Sequence, residues 1–172
     1  HVGYFSMYMA EHFDEVIAFE PVDSNVACWE RNLDGVGNVR LHDFALGQSS
    51  RNVIMHQPDP QNSGSWCIAY AGTRIVRQRA LDTCGDIYNV GFMKLDVQDY
   101  EANVLKGAIQ TIRRNKPVIQ IEMASKKCIQ DAGGILCQLG YAPVEQKRKD
   151  VIWKFVGVYD KTYEIDLRTG EV

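Results

Sequence analysis

Apolar positions in the first quarter of the chain switch between helical and strand spacing. Residues 4–13 place Phe5, Met9 and Phe13 four apart, one stripe of a helix. Within residues 15–20 the run Val16-Ile17-Ala18-Phe19 is short, continuous and closed by Pro21, which predicts a buried strand. Val22, Val26, Trp29 and Leu33 then recur at helical spacing, with Asp23 or Ser24 as the cap and Gly35 and Gly37 as the stop. Residues 39–41 predict the next strand.

From residue 44 to residue 81 the pattern changes. Turn-rich stretches at 48–50, 58–60 and 62–65 alternate with short strands predicted at 52–56 and 73–79. This stretch reads as a β-rich insertion, too short for a core of its own. The α/β rhythm then returns. Strands are predicted at 92–97, 117–123, 141–146 and 151–159, with helices at 101–115 and 126–139, the latter weakened by Gly133 and Gly134. Alternation of this kind predicts an α/β fold, a mostly parallel sheet with helices on both faces, over one domain of residues 1–172.

Composition narrows the function classes. Of 172 residues, 45% are hydrophobic and 24% charged, the balance of an ordinary globular protein. A net charge of −3 offers no basic field for nucleic acid, and Lys147-Arg148-Lys149 reads as a solvated turn. The five cysteines are odd in number and none is spaced for a metal, so neither a disulfide framework nor a zinc site is expected, and a reducing, cytoplasmic setting fits. Cys28 and Cys137 read as small core residues in apolar helical stretches. No apolar run is long enough to span a membrane.

Ligands of open α/β sheets bind outside the C-terminal strand ends, which singles out the residues closing each strand. Four of these are carboxylates: Glu20, Asp43, Asp96 and Glu122. Glu20 follows a glycine, a helix and a strand, with Gly3 seventeen residues upstream. That placement suits a carboxylate accepting both hydrogens of a ribose diol, with Gly3 admitting close backbone approach. The same spacing also suits a strand-end glutamate facing water.

Gly3-Tyr4-Phe5-Ser6, Phe19-Glu20-Pro21, Asp43-Phe44-Ala45-Leu46-Gly47 and Asn62-Ser63-Gly64-Ser65 follow one another along the chain. They lead to residues 93–101 (Met-Lys-Leu-Asp-Val-Gln-Asp-Tyr-Glu), Val104-Leu105-Lys106-Gly107-Ala108 and residues 117–122 (Pro-Val-Ile-Gln-Ile-Glu). This ordered set, over residues 1 to 123, resembles the FkbM family of methyltransferases. The resemblance implies a Rossmann-like class I methyltransferase fold that binds S-adenosylmethionine and methylates a hydroxyl oxygen. It places Gly3 in the cofactor loop and Glu20 on the ribose. Asp43 and Phe44 would lie by the adenine, and Asp96 near the methionine end. Lys94, on the same strand face as Asp96, would approach the site or pair with that carboxylate.

The chain departs from the family pattern in two ways. Members carry an acidic or polar residue and then glycine after the strand valine, where this chain has Gln98-Asp99, which would tighten or redirect the loop. The family's first, central strand and early cofactor-loop glycines would precede His1, so the chain reads as N-terminally truncated. Its exposed strand edges would otherwise be covered by another chain, as in a homo-oligomer.

Methyl transfer from a sulfonium asks for positioning and removal of one proton, and Asp96 and Glu122 are the candidate catalytic residues. A magnesium-like ion on that pair would lack a third placed ligand, so no metal is expected. His42 and His56 are conceivable bases, although His42 also reads as packed or exposed. The expected acceptor is a hydroxyl on a small molecule or sugar, with Trp66, Tyr70 and Trp153 able to stack a ring or simply to pack. Two rivals remain from other classes: a nucleotide-cofactor oxidoreductase, and a catalytically inactive Rossmann-like module.

Overall fold

The computed structural model describes residues 1–85 and 87–157. Where the sequence reads as one domain, the backbone gathers into two compact units: His1–Leu46 with Ser50–Arg79, and Gly47–Ser49 with Ala80 onward.

In the first unit α1 (Tyr4–Ala10) leads into β1 (Val16–Phe19), α2 (Asp23–Asn32) and β2 (Val39–His42). Strands β1 and β2 pair in parallel, Val16 opposite Val39 and Phe19 opposite His42. Helix α1 stops short of Phe13, because the Asn38 side-chain amide donates to the carbonyls of Ala10 and Phe13 (2.9 and 3.0 Å) and closes the turn there. No residue of α1 is buried, so the predicted stripe is not a core face in this unit. Helix α2 buries Val22, Trp29 and Leu33 as predicted. Its N-cap is Val22 rather than Asp23 or Ser24, and the Asp23 carboxylate instead pairs with Arg74 at 2.6 Å. Cys28 is exposed, not a core residue.

Segment 44–81 supplies β3 (Ala45–Leu46), β4 (Arg51–His56), β5 (Cys67–Ala69) and β6 (Arg74–Arg79), a sheet of order β3-β6-β4-β5. Strand periodicity puts Val53, Met55 and Val76 on one face, where they join Ala45 and Val22, with Trp66 and Ile68 packed alongside. The insertion thus has a small core that it shares with the start of α2.

The second unit contains a 3-10 turn (Leu81–Thr83), β7 (Phe92–Leu95), α3 (Glu101–Lys106), α4 (Ile109–Asn115) and β8 (Val118–Glu122). It continues through α5 (Lys126–Gln138), β9 (Tyr141–Lys147) and β10 (Asp150–Phe155), giving a sheet of order β7-β8-β10-β9. Ile119, Ile121, Val151 and Trp153 alternate inward from their strands, and Val104, Leu105, Cys128, Ala132 and Leu136 are buried on the helices. Helix α5 packs on α3 and on β9. Gly133 and Gly134 leave α5 unbroken.

The predicted helix over 101–115 is instead two helices. Asp82 accepts hydrogen bonds from Gln110 and Thr111 N–H (2.9 and 2.8 Å), capping a new helix start, while its own N–H donates to the Gly107 carbonyl at 2.9 Å.

Only β1/β2, β3/β6 and β7/β8 are parallel. The described strands therefore form one parallel pair and two mixed four-stranded sheets rather than one mostly parallel sheet. Strands β9 and β10 are joined by the short turn at Arg148-Lys149, which forces them antiparallel, while β4 pairs antiparallel with both β5 and β6, and β10 with β8. Among the described residues β1 and β7 are edge strands. Lys147-Arg148-Lys149 lies at the β9–β10 turn, Arg148 at φ 58°. Strand β10 ends at Phe155, and residues 158 and 159 of the predicted strand lie outside the described residues. No described helix is long and apolar enough to cross a membrane.

Candidate functional site

The strand-end carboxylates fall into two groups, one in each unit. In the first, Glu20 directly follows β1 and is buried, 7% exposed. Its Oε1 accepts from the Val22 N–H at 2.8 Å, and its Oε2 accepts from the His1 amino group. One oxygen is thus fixed by the backbone. That is the arrangement a carboxylate needs to receive hydroxyls without itself reorienting.

Around Glu20 the loop after β4 is tied down by a residue the sequence reading passed over. Asn25, buried on α2, donates to the Ser63 carbonyl at 3.2 Å, and the Ser63 hydroxyl lies 2.8 Å from His1 Nε2. Asn62 Oδ1 accepts from the Gly64 N–H at 3.0 Å, which gives the Asn62-Ser63-Gly64-Ser65 block a turn-forming role. A polar residue on the apolar side of α2 was the available signal for Asn25.

Gly3 is the left-handed N-cap of α1, at φ 91°. A Cβ there would lie 2.8 Å from Leu33 Cδ1 and 2.9 Å from Trp29 Cδ1. The protein's own α2 side chains therefore account for this glycine. Asp43 is exposed and receives both of its bonds from Arg77 Nη2, at 2.9 and 3.1 Å. Phe44 is buried beside Phe19 and His42, with ring centroids 5.6 and 5.3 Å away, and the Arg79 guanidinium lies 5.2 Å over its ring. His42 stacks on Phe19 at 5.1 Å, a packed histidine, and His56 is exposed on β4.

The second unit brings together the two predicted catalytic carboxylates. Asp96 follows β7 and Glu122 ends β8, the neighbouring parallel strand. Lys94 Nζ lies 3.1 Å from Asp96 Oδ2, so the lysine is paired with the carboxylate two residues on. Gln98 Nε2 donates to Asp96 Oδ1 at 3.1 Å and reaches Glu122 Oε2 at 3.4 Å. Burial and then the adjacent Asp96 charge hold the Glu122 carboxyl above its ordinary range. Gln98, which the sequence marked only as a departure, sits across this pair.

Behind it, Glu101 is buried and accepts from the Val97 N–H at 3.0 Å and from the Cys128 thiol at 3.2 Å. The Ser125 hydroxyl donates to Asp99 at 2.6 Å while accepting from the Cys128 N–H. Asp99, Glu101 and Cys128 bring ligand-type atoms within 4.8 Å of one another. Burial and then the Glu101 charge push the Cys128 thiol far up, and its proton serves Glu101. Of the three aromatic candidates, Trp153 is buried, Trp66 packs against the first unit's core and Tyr70 is fully exposed.

The family model of the methyltransferase FkbM domain matches residues 2–143. The chain is similar in structure to the methyltransferase FkbM from Methylobacillus flagellatus KT, with a TM-score of 0.65 at 18% sequence identity. That likeness covers 90% of this chain, which spans 40% of the length of the solved one. No curated protein matches.

Proposed function

The chain belongs to the FkbM methyltransferase family, and we propose that it transfers a methyl group from S-adenosylmethionine to a hydroxyl oxygen of a small molecule or sugar. The observation that carries the cofactor reading is Glu20: a buried carboxylate at a strand end, one oxygen held by the Val22 N–H. Such an acceptor fits the hydroxyls of a ribose diol. When bound, the cofactor supplies an electrophilic methyl group on a sulfonium.

The chain's own residues do the rest. Glu20 holds the two ribose hydroxyls, and Phe44 supplies an apolar surface for the base. Asp43 accepts from an exocyclic amino group in exchange for part of its bonding to Arg77. Asp96 and Glu122 orient the acceptor hydroxyl and take its proton as the new carbon–oxygen bond forms. Burial and the neighbouring Asp96 charge raise the Glu122 carboxyl, which makes it a stronger base than an ordinary carboxylate. Lys94 holds Asp96 in place.

Calorimetric titration with S-adenosylhomocysteine tests the reading. Glu20→Ala should weaken binding roughly ten- to hundred-fold, the worth of charge-assisted hydrogen bonds. Asp96→Ala and Glu122→Ala should spare affinity and lower turnover. Binding of NAD in place of S-adenosylhomocysteine, or affinity indifferent to Glu20, would overturn it.

A further inference from the structure

Gln98 and Asp99 are consecutive non-glycine residues in left-handed backbone, φ 54° and 67°. Each such residue costs about 1 kcal/mol, so a loop that holds two of them is held by something. Three anchors do so. Glu101 accepts from Val97 N–H, Ser125 donates to Asp99, and the Gln98 amide is spent on the two carboxylates. The first two anchors are behind the strand ends. The third faces the pair.

We propose that Gln98 is a positioning residue whose amide straddles Asp96 and Glu122 and fixes their orientation, so that the two take up one proton as a unit. The inference rests on reading this pair as the proton acceptor of the reaction. The chemistry follows from what an amide NH2 can do. It offers two hydrogens, no charge and no competing proton, so it can serve both carboxylates while they are ionised. It bonds Asp96 at 3.1 Å and, more weakly, Glu122 at 3.4 Å. Lys94 donates to the other oxygen of Asp96, which leaves that carboxylate bracketed by two donors. Lys149 acts on Glu122 through space, opposed by Asp96 and Asp150. Gln98 thus stabilises the doubly ionised pair, and the proton arriving from the acceptor hydroxyl is then shared between Glu122 and Asp96.

Removing a donor to an ionised carboxylate raises the pH at which it takes a proton. The test is a carbon-13 NMR titration of the side-chain carboxyls, with the Glu122 signal assigned through Glu122→Gln. Gln98→Asn keeps an amide and tolerates left-handed backbone, but is one methylene too short to span the pair. Gln98→Leu removes the donor outright, and Gln98→Glu replaces it with a third negative charge. The Glu122 midpoint should rise in all three, by about half a pH unit or more, and furthest in Gln98→Glu. A thermal midpoint near wild type in Gln98→Asn separates this from loss of fold. A Glu122 midpoint that stays put in folded Gln98→Asn and Gln98→Leu would overturn the proposal. The titration needs no cofactor, so failure to bind S-adenosylhomocysteine would sink the proposed activity and leave this result standing on its own.

Discussion

Replacing Gly107 with alanine should destabilise the second unit by about 3–5 kcal/mol. The residue lies between α3 and α4 at φ −84° and ψ −1°, angles that any amino acid adopts, so conformational freedom is not why glycine is there. Space is. A Cβ would sit 2.0 Å from the Gly47 carbonyl oxygen, 2.9 Å from its carbon and 3.2 Å from Ala80 Cα. Ordinary carbon contacts are nearer 3.5–4 Å, so the backbones must part by more than roughly 1 Å. The Gly107 carbonyl accepts from Asp82 N–H, and the Asp82 carboxylate caps α4, so that movement strains three hydrogen bonds of 2.8–2.9 Å. Overpacking costs about 1–3 kcal/mol and each weakened bond about 1, against a propensity gain of about 1 for alanine over glycine. Urea denaturation gives the number directly, as a lower midpoint at unchanged slope. A change within 0.5 kcal/mol would refute the backbone-approach argument, because nothing else at this position penalises a methyl group.

Three further outcomes are expected. Gly134→Ala, mid-helix in α5 with nothing within 4 Å of the added Cβ, should raise stability by about 1 kcal/mol in the same urea experiment. Glu122→Gln should change the pH dependence of stability. The raised carboxyl binds its proton more tightly folded than unfolded, so the wild type loses stability as pH climbs from the ordinary carboxylate range, about 4.3, through the folded value. The variant should lack that decline in thermal midpoints measured from pH 4 to 8. Tyr141→Phe should cost about 1–2 kcal/mol, since the buried hydroxyl donates to the Pro117 carbonyl at 3.0 Å; the same burial pushes the phenol up to about 12, so the wild-type ring should resist ionisation in an alkaline absorbance titration.

Period and punctuation carried much of the fold. The alternation through Ile119 and Ile121 reports burial directly, and the strands lie where the patterns put them, although the run at residues 16–19, expected to be buried, is only half-buried. The patterns were weaker where a distant group decided the outcome. Continuous apolar spacing through 101–115 conceals the break at Gly107, because the cap that starts α4 is Asp82, far back in the chain. The two-residue β3 and three-residue β5 are too short to leave a period and exist through pairing with β6 and β4. Cys28 belongs to an apolar stretch yet faces out, since only one side of α2 is covered.

The site divides in the same way. Strand-end carboxylates are legible because a buried strand must finish on something polar, and that rule placed Asp96 beside Glu122. What stands next to them is a matter of tertiary approach. Gly3 read as an opening for a ligand, and Trp29 and Leu33, a helix away, also crowd the position that a side chain would take. Gln98-Asp99 read as a loop disturbed by the loss of a glycine. In the structure Asp99 holds the left-handed turn that glycine would take at no cost, at a price of about 1 kcal/mol. Its carboxylate accepts from the Ser125 hydroxyl at 2.6 Å, which anchors the turn. A side-chain anchor thus holds the turn where backbone freedom would otherwise be needed, and the Gln98 amide bonds the two carboxylates.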